Sequence, residues 1–137
     1  MLEGGCYCGK VRYAIEGEPV YVAICNCTDC RKHSGAPMVC WSAFRQEQVT
    51  ITGEAATFAS SEHARRQFCA ACGTGFAYTN EVVLPGLIDL QTGTLDDPEA
   101  LPPMIQVQTA DRLSWMNGIG ELPGFERYPS GGPEPTP

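Results

Sequence analysis

Two short stretches decide how this chain folds: GGCYCG at residues 4–9 and FCAACG at residues 68–73. Each stretch carries a closely spaced pair of cysteines and ends in a glycine. Four thiolates complete the tetrahedral coordination that zinc adopts in structural sites. One zinc bound by both pairs would close a long loop of the chain, so we expect it to contribute free energy to folding. The four predicted ligands are Cys6, Cys8, Cys69 and Cys72.

The spacing within the first pair suits a metal site only if the backbone bends. Residues i and i+2 of an extended strand point to one face, but their sulfur atoms lie too far apart for one zinc. Gly4, Gly5 and Gly9 permit the bend, and Gly73 can adopt the left-handed conformation that turns a backbone N–H toward a thiolate. The alternative interpretation is that these cysteines pack as small apolar side chains.

A third cluster places three thiols within CNCTDC, residues 25–30. Three ligands are too few to close a tetrahedron, so a zinc held here keeps a position for solvent or a guest molecule. Such a position lets the metal bind a thiol as the thiolate or polarise a carbonyl oxygen. We therefore predict a second, catalytic zinc held by Cys25, Cys27 and Cys30.

The fourth position of this second site also has candidates within the chain. Cys40, His33 and His63 carry groups that bind zinc. Cys40 lies in an apolar, strand-like run, His33 follows two basic residues, and His63 lies in a polar stretch, so we favour the open or exchangeable position. An iron–sulfur cluster is a further alternative, but it usually takes four cysteines at a different spacing.

Length and charge set the class of protein. A chain of 137 residues suggests one domain. We expect a single zinc-binding β domain over residues 1–128, followed by a disordered tail over residues 129–137 that is rich in proline and glycine. The formal net charge of −7 opposes binding to phosphate backbones, so we expect no nucleic-acid partner.

The expected location is the cytoplasm. Residues 1–6 have neither the basic region nor the apolar region of a signal peptide, and no apolar run approaches the roughly 18 residues of a membrane span. We therefore expect no membrane partner and reduced thiols that are available as ligands. A disulfide framework is the alternative, which the Cys-x-Cys spacing disfavours. The sequence leaves the oligomeric state open.

The hydrophobic pattern is that of strands rather than helices. Short alternating or apolar runs recur between turn signals rich in glycine, proline, asparagine and aspartate, which is typical of an all-β sandwich or barrel. Residues 28–34 and 110–116 are predicted to form no more than a helical turn or two. The predicted strands are residues 11–15, 20–24, 38–44, 48–52, 66–69, 87–90 and 104–109.

Several segments resemble motifs of the glutathione-dependent formaldehyde-activating enzyme family, which comprises S-(hydroxymethyl)glutathione synthase-like proteins with a centromere protein V-type domain. The order and the spacing of the cysteines fit, and the resemblance extends over nearly all of residues 1–129. The segments are GCYCGKVRY at 5–13, CNCTDCRK at 25–32 with GAP at 35–37, FCAACGT at 68–74, GTLDDP at 93–98, and a closing segment with Trp115 and LPGF at 122–125.

The resemblance implies a tent-like, all-β sandwich built around a structural zinc, with two zinc ions per chain. It implies carbon–sulfur lyase activity: the reversible joining of formaldehyde and glutathione, or a similar small thiol, to give S-hydroxymethylglutathione. Carried over by position, the structural ligands are Cys6, Cys8, Cys69 and Cys72, and the catalytic ligands are Cys25, Cys27 and Cys30.

Two arginines are candidates for binding such a thiol. Arg31 and Arg112 would receive its carboxylates through charge-assisted hydrogen bonds, and the alternative is that they are solvated surface charges. The chain departs from the family pattern at Asn26 and in the segment containing Gln106, where the family often has histidine, so two possible proton-transfer groups are missing. A non-catalytic zinc module that binds a protein or small-molecule partner is the alternative function, and it predicts a second site closed by the polypeptide.

Overall fold

The computed structural model describes residues 1–129, so the predicted tail, apart from its first residue, lies outside the described residues. Within that range the chain is mostly β-sheet, which confirms the predicted fold class, and all seven predicted strands occur as strands. The elements are β1 (Leu2–Gly5), β2 (Arg12–Ile15), β3 (Tyr21–Cys25), α1 (Thr28–Ser34), β4 (Val39–Arg45), β5 (Val49–Thr52), β6 (Ala55–Ala59), β7 (Ala64–Cys69), β8 (Gly75–Asn80), β9 (Leu87–Gln91) and β10 (Ile105–Val107).

The strands form two sheets. The smaller sheet has the order β1-β2-β5, and the larger has the order β10-β3-β4-β9-β8-β7-β6. Neighbouring strands are antiparallel except for β10, which runs parallel to β3. The larger sheet therefore brings together strands that are far apart in sequence, and it carries Cys25 at the end of β3 and Cys69 at the end of β7.

The two faces of the larger sheet have different neighbours. Val22, Phe44 and Leu90 belong to the largest buried apolar cluster, together with Tyr13 from the smaller sheet. Successive side chains of a strand point to opposite faces, so the residues that alternate with these face away from that core. They are Tyr21, Ala23 and Asp89, which line a cavity, and Ala43, which pairs with Asp89.

Three strands were not predicted from the sequence. β1 includes Gly4 and Gly5, which on their own indicate a turn, but they pair with Tyr13 and Arg12 of β2. A Cβ at Gly4 would collide with the Tyr13 ring and the Thr94 carbonyl, so glycine is required there. β6 and β8 form as strands because each pairs with one side of β7.

The predicted helical segments are short, as expected. Residues 28–34 form α1, which ends at Gly35 in the left-handed conformation (φ 67°). Residues 110–116 fall across two 3-10 turns, Thr109–Asp111 and Ser114–Glu121. Among the described residues, no helix has the length and apolar character needed to cross a bilayer.

Candidate metal centres

The four-cysteine cluster lies where two hairpin connections meet. Cys6 and Cys8 lie between β1 and β2, while Cys69 ends β7 and Cys72 lies before β8. The four sulfur atoms all lie within 4.8 Å of one another, with 3.6 Å from Cys6 Sγ to Cys8 Sγ and 3.8 Å from Cys8 Sγ to Cys69 Sγ. Zinc–sulfur bonds of about 2.3 Å in a tetrahedron place the sulfur atoms about 3.8 Å apart. The donor set and its spacing therefore fit zinc.

Each cysteine pair sits on a tight turn that ends in a left-handed glycine. Gly9 (φ 79°) donates its N–H to the Cys6 carbonyl at 3.1 Å, and Gly73 (φ 82°) donates to the Cys69 carbonyl at 2.7 Å. The Val11 N–H donates to Cys6 Sγ at 3.2 Å. Only glycine adopts this conformation without strain, which explains why both pairs are followed by glycine.

Thr74 joins the two turns. Its hydroxyl accepts the Tyr7 N–H at 3.1 Å and lies 3.2 Å from Cys72 Sγ. Hydrogen bonds from the Thr74 hydroxyl and backbone lower the pKa of Cys72 to about 5. The polypeptide itself therefore favours a thiolate at this position of the four-cysteine cluster.

The three-cysteine cluster lies at the junction of β3 and α1. Cys25 ends β3, Cys27 precedes α1 and Cys30 lies in its first turn. Cys27 Sγ caps the helix by accepting the Cys30 N–H at 3.3 Å, and the three sulfur atoms lie within 4.8 Å of one another. Burial raises the pKa of Cys25 to about 12, so a nearby positive charge, such as a metal ion, is needed to ionise the whole cluster.

The predicted alternatives for a fourth ligand lie elsewhere. Cys40 packs against the apolar core, the His33 ring lies 5.4 Å from the Phe58 ring, and His63 is exposed beside Glu62. Among residues 1–129, no further cysteine, histidine, aspartate or glutamate joins the three thiols within the spacing of the cluster. The described polypeptide thus offers three ligands here and four at the other cluster.

A cavity of about 570 Å³ opens beside the three-cysteine cluster. Trp41 and Tyr78 form part of its wall, with their ring centres 6.1 Å apart. All three thiols of the cluster line the same cavity. A small molecule bound in the cavity is thereby brought next to the sulfur atoms.

One row of paired residues crosses five strands below this cavity. Tyr21 pairs with Ala43, Ala43 with Asp89, Asp89 with Tyr78, and Tyr78 with Arg66. Ala43 separates Tyr21 from Asp89 in this row, and the Tyr21 hydroxyl reaches the Asp89 carboxylate across it. Strand pairing therefore places a carboxylate, two phenols and a guanidinium in one line.

Arg66 is buried in this wall with few partners. The residue as a whole is only 8% exposed. The guanidinium carbon lies 4.9 Å from the Tyr78 ring centre, and Nη2 lies 3.9 Å from Cys30 Sγ. Its Nε is buried without a hydrogen-bond partner, and no ion pair to Arg66 occurs among residues 1–129.

Asp89 is the buried acid of the same wall. Tyr21 Oη donates to its two carboxylate oxygens at 3.0 and 3.3 Å. Burial raises the pKa of Asp89 to about 6 and also raises the pKa of Tyr21. The carboxyl group can therefore change its proton near neutral pH, which is the property required of a general base or acid.

The sequence model of one enzyme family, described as glutathione-dependent formaldehyde-activating enzyme, matches residues 1–111. This range contains both cysteine clusters and the residues of the cavity wall. The chain belongs to the glutathione-dependent formaldehyde-activating enzyme family. The match confirms the resemblance for the motifs within residues 1–111, whereas the closing segment with Trp115 and residues 122–125 lies beyond it.

Relatives of this formaldehyde-activating family member match it in part. A Schizosaccharomyces pombe protein named uncharacterized lyase is 34% identical over 80 residues, which make up 57% of this chain and 58% of that protein. The chain thus spans less than two thirds of that relative. A crystal structure of a Rhodobacter sphaeroides protein is similar with a TM-score of 0.61 and 19% identity, covering 77% of this chain and 99% of that one, which shows a shared fold.

The two arginines predicted to bind the family's thiol substrate lie outside the cavity beside the three cysteines. Arg31 donates to the Asp111 carbonyl and lines a separate cavity of about 410 Å³. Arg112 donates to Gln106 Oε1 at 3.0 Å and to Asn117 Oδ1 at 3.1 Å, and it lines a third cavity of about 330 Å³. Their assignment to substrate carboxylates stays a prediction.

The two departures from the formaldehyde-activating family pattern contact each other. Asn26 Nδ2 lies 3.5 Å from Gln106 Oε1 and donates to the Val107 carbonyl at 3.1 Å. Asn26 is 1% exposed, and neither amide lines the cavity beside the three cysteines. These amides therefore tie β10 to the loop that carries the cluster.

Proposed function

We propose that the chain is a zinc-dependent carbon–sulfur lyase that reversibly joins a small thiol and an aldehyde such as formaldehyde. The observation that carries this proposal is the convergence of three thiols, all within 4.8 Å, on the wall of a cavity of about 570 Å³. Membership of the formaldehyde-activating family supports the reaction, and the relative named a lyase supports its class.

In this proposal the two clusters have different tasks. Cys6, Cys8, Cys69 and Cys72 would hold a structural zinc, and Cys25, Cys27 and Cys30 would hold the catalytic one. A zinc held by these three thiolates would supply one open position, which could ionise a guest thiol or polarise an aldehyde oxygen. Trp41 and Tyr78, which line the cavity, would exclude water from one side of this position.

The cavity wall supplies the proton acceptor. In the direction of cleavage, the hydroxyl proton of an S-hydroxymethyl thiol leaves oxygen, a carbon–oxygen double bond forms, and the carbon–sulfur electron pair stays with sulfur. We assign the proton to the Asp89 carboxylate, directly or through a water, with Tyr21 Oη holding the carboxylate in place. In the direction of addition, the thiolate attacks the aldehyde carbon, and Asp89 returns the proton to oxygen.

Exchange spectroscopy by nuclear magnetic resonance tests the proposed activity. The exchange of formaldehyde with glutathione, or with another small thiol, is measured with and without protein, and the zinc-loaded protein is expected to accelerate it about 100-fold or more. The control is protein from which a chelator has removed the zinc of the three-cysteine cluster. Failure to accelerate exchange with glutathione and with every other small thiol would favour the non-catalytic zinc module instead.

Asp89→Asn is expected to lower the exchange rate about 100-fold, because the variant cannot accept the proton. In the wild-type protein, the rate should fall as the pH falls through about 6, because the Asp89 carboxylate becomes protonated there. The pH–rate profiles of the two proteins measure both effects. An unchanged rate in Asp89→Asn would remove Asp89 from the mechanism.

The same variant has a second readout, because a raised pKa also affects stability. The pKa of Asp89 rises from 3.8 to about 6 on folding, which corresponds to a cost of about 3 kcal/mol for the ionised form. This loss of stability is absent below pH 3.8, grows as the pH rises from 3.8 to about 6, and stays constant at higher pH. Asp89→Asn should therefore be more stable than the wild type at pH 7.5 but not at pH 3.5, whereas the control Asp96→Asn, which loses its ion pair with Arg12, should be less stable at pH 7.5.

A further inference from the structure

Arg66 occupies an environment that proteins rarely give to an arginine. Buried guanidinium groups are normally paired with a carboxylate, because an uncompensated buried charge is costly. Within residues 1–129, Arg66 has only the Tyr78 ring and the Cys30 sulfur as neighbours of suitable chemistry, and its Nε has no acceptor. A donor group that is unpaired and lines a cavity indicates that a ligand completes its hydrogen bonds.

The charged side chains that line the cavity indicate where an anionic ligand would bind. The other charged side chains on its wall are the acids Asp29, Asp89 and Asp111, and among the described lining residues Arg66 alone is a cation. An anionic group that enters this cavity is repelled by the three carboxylates and attracted to the Arg66 guanidinium. This guanidinium lies beside the three-cysteine cluster, because Arg66 Nη2 is 3.9 Å from Cys30 Sγ.

We infer that Arg66 binds the carboxylate of the substrate thiol, and that this carboxylate lies within two or three carbon atoms of the thiol sulfur. The inference rests on the proposed function, because it places the guest sulfur at the three-cysteine cluster. It assigns a specificity-determining residue and a substrate class, the short mercaptocarboxylates.

A short thiol is long enough to reach both the three-cysteine cluster and Arg66. Sulfur atoms around one zinc lie about 3.8 Å apart, so a guest sulfur would lie about that far from Cys30 Sγ. A carboxylate oxygen accepts a charge-assisted hydrogen bond from Arg66 at about 2.8 Å. Both groups of the guest thus lie close to one protein sulfur. In glutathione a peptide unit separates each carboxylate from the thiol, which places the charge farther away.

A matched pair of ligands tests the inference in the wild-type protein. Isothermal titration of the zinc-loaded protein measures the affinity for 3-mercaptopropionate and for the neutral amide of the same length, 3-mercaptopropionamide. We expect the acid to bind about 10- to 100-fold more tightly, the range of a charge-assisted hydrogen bond. We also expect 3-mercaptopropionate to bind more tightly than glutathione. Equal affinity for the acid and the amide would overturn the inference.

Variants on the same strand separate Arg66 from general charge effects. Arg66→Gln should bind the acid and the amide equally, and Arg66→Lys should keep part of the preference. Arg65 is the matched control, because its exposed guanidinium donates to the carbonyls of Ser61 and Glu62. Arg65→Gln should therefore behave as the wild type does.

The outcomes distinguish this inference from the proposed function. If the wild-type protein accelerates exchange but binds charged and neutral thiols equally, the inference fails and the lyase proposal stands. A preference that persists in Arg66→Gln also overturns the inference. If Arg66→Gln loses zinc or does not fold, the wild-type ligand pair and Arg66→Lys decide. If the wild-type protein neither binds a thiol nor accelerates exchange, both proposals fail.

Discussion

Cys69→Ala is expected to prevent the chain from folding at 25 °C. Cys69 is 1% exposed and its sulfur lies 3.8 Å from that of Cys8, which is 61 residues away in sequence. Structural zinc sites contribute about 10–16 kcal/mol of apparent binding free energy, whereas a domain of ordinary size is stable by only about 5–15 kcal/mol. Loss of one ligand should therefore remove the metal and most of the stability. Circular dichroism during urea unfolding is the measurement.

The eighth cysteine provides the control for this prediction. Cys40 is half-buried against the apolar core and lies outside both clusters. Cys40→Ala removes one buried sulfur and should cost about 1 kcal/mol, in line with small losses of buried apolar volume. If Cys69→Ala unfolds cooperatively within about 2 kcal/mol of the wild type, the four-cysteine cluster does not hold the fold together.

Cys27→Ser is expected to abolish the exchange activity, by about 1,000-fold or more, while the protein stays folded. Serine is a favourable N-cap, so its hydroxyl can replace Cys27 Sγ as the acceptor of the Cys30 N–H. It is a much poorer zinc ligand than a thiolate. The variant therefore separates the metal site from the helix cap. Exchange spectroscopy and thermal unfolding of the same preparation test the two halves of the prediction.

The two cysteine variants are expected to lose different properties. Cys69→Ala should lose the fold and with it the activity, whereas Cys27→Ser should lose activity alone. Cys40→Ala should keep both properties. An active Cys27→Ser variant that has lost its second zinc would show that the three-cysteine cluster does not perform the chemistry.

Most of the strands and the helix could be predicted, because the patterns that define them lie within short stretches of sequence. The alternating runs that became β2 and β5 keep one face on the core, and α1 is bounded by a capping cysteine and by Gly35. Both cysteine clusters lie on short turns, so their spacing could be interpreted without knowledge of the sheet. β1 was not predicted because its glycines are required by close approaches of other segments, Tyr13 and Thr94 at Gly4 and Val11 and Arg12 at Gly5.

The cavity wall could not be predicted in the same way. Arg66 and Asp89 line one cavity only because β7, β8 and β9 are neighbours in the larger sheet. Nothing near either residue in sequence distinguishes it from a surface charge, and Arg66 lies in a stretch that looks polar. One signal was present in the sequence. Tyr21 and Cys25 are four residues apart in a strand and therefore share a face, so Tyr21, which donates to Asp89, lies on the same face as the first cysteine of the cluster.

X-ray absorption at the zinc edge, combined with a metal count, tests the two metal sites in the wild-type protein before and after addition of 3-mercaptopropionate. We expect two zinc ions per chain: one bound by four sulfur atoms, the other by three sulfur atoms and one light atom. The average should rise from about 3.5 to about 4 sulfur atoms per zinc when the thiol is added. A single zinc per chain, or two zinc ions whose four ligands all come from the polypeptide and do not change with thiol, would contradict this expectation.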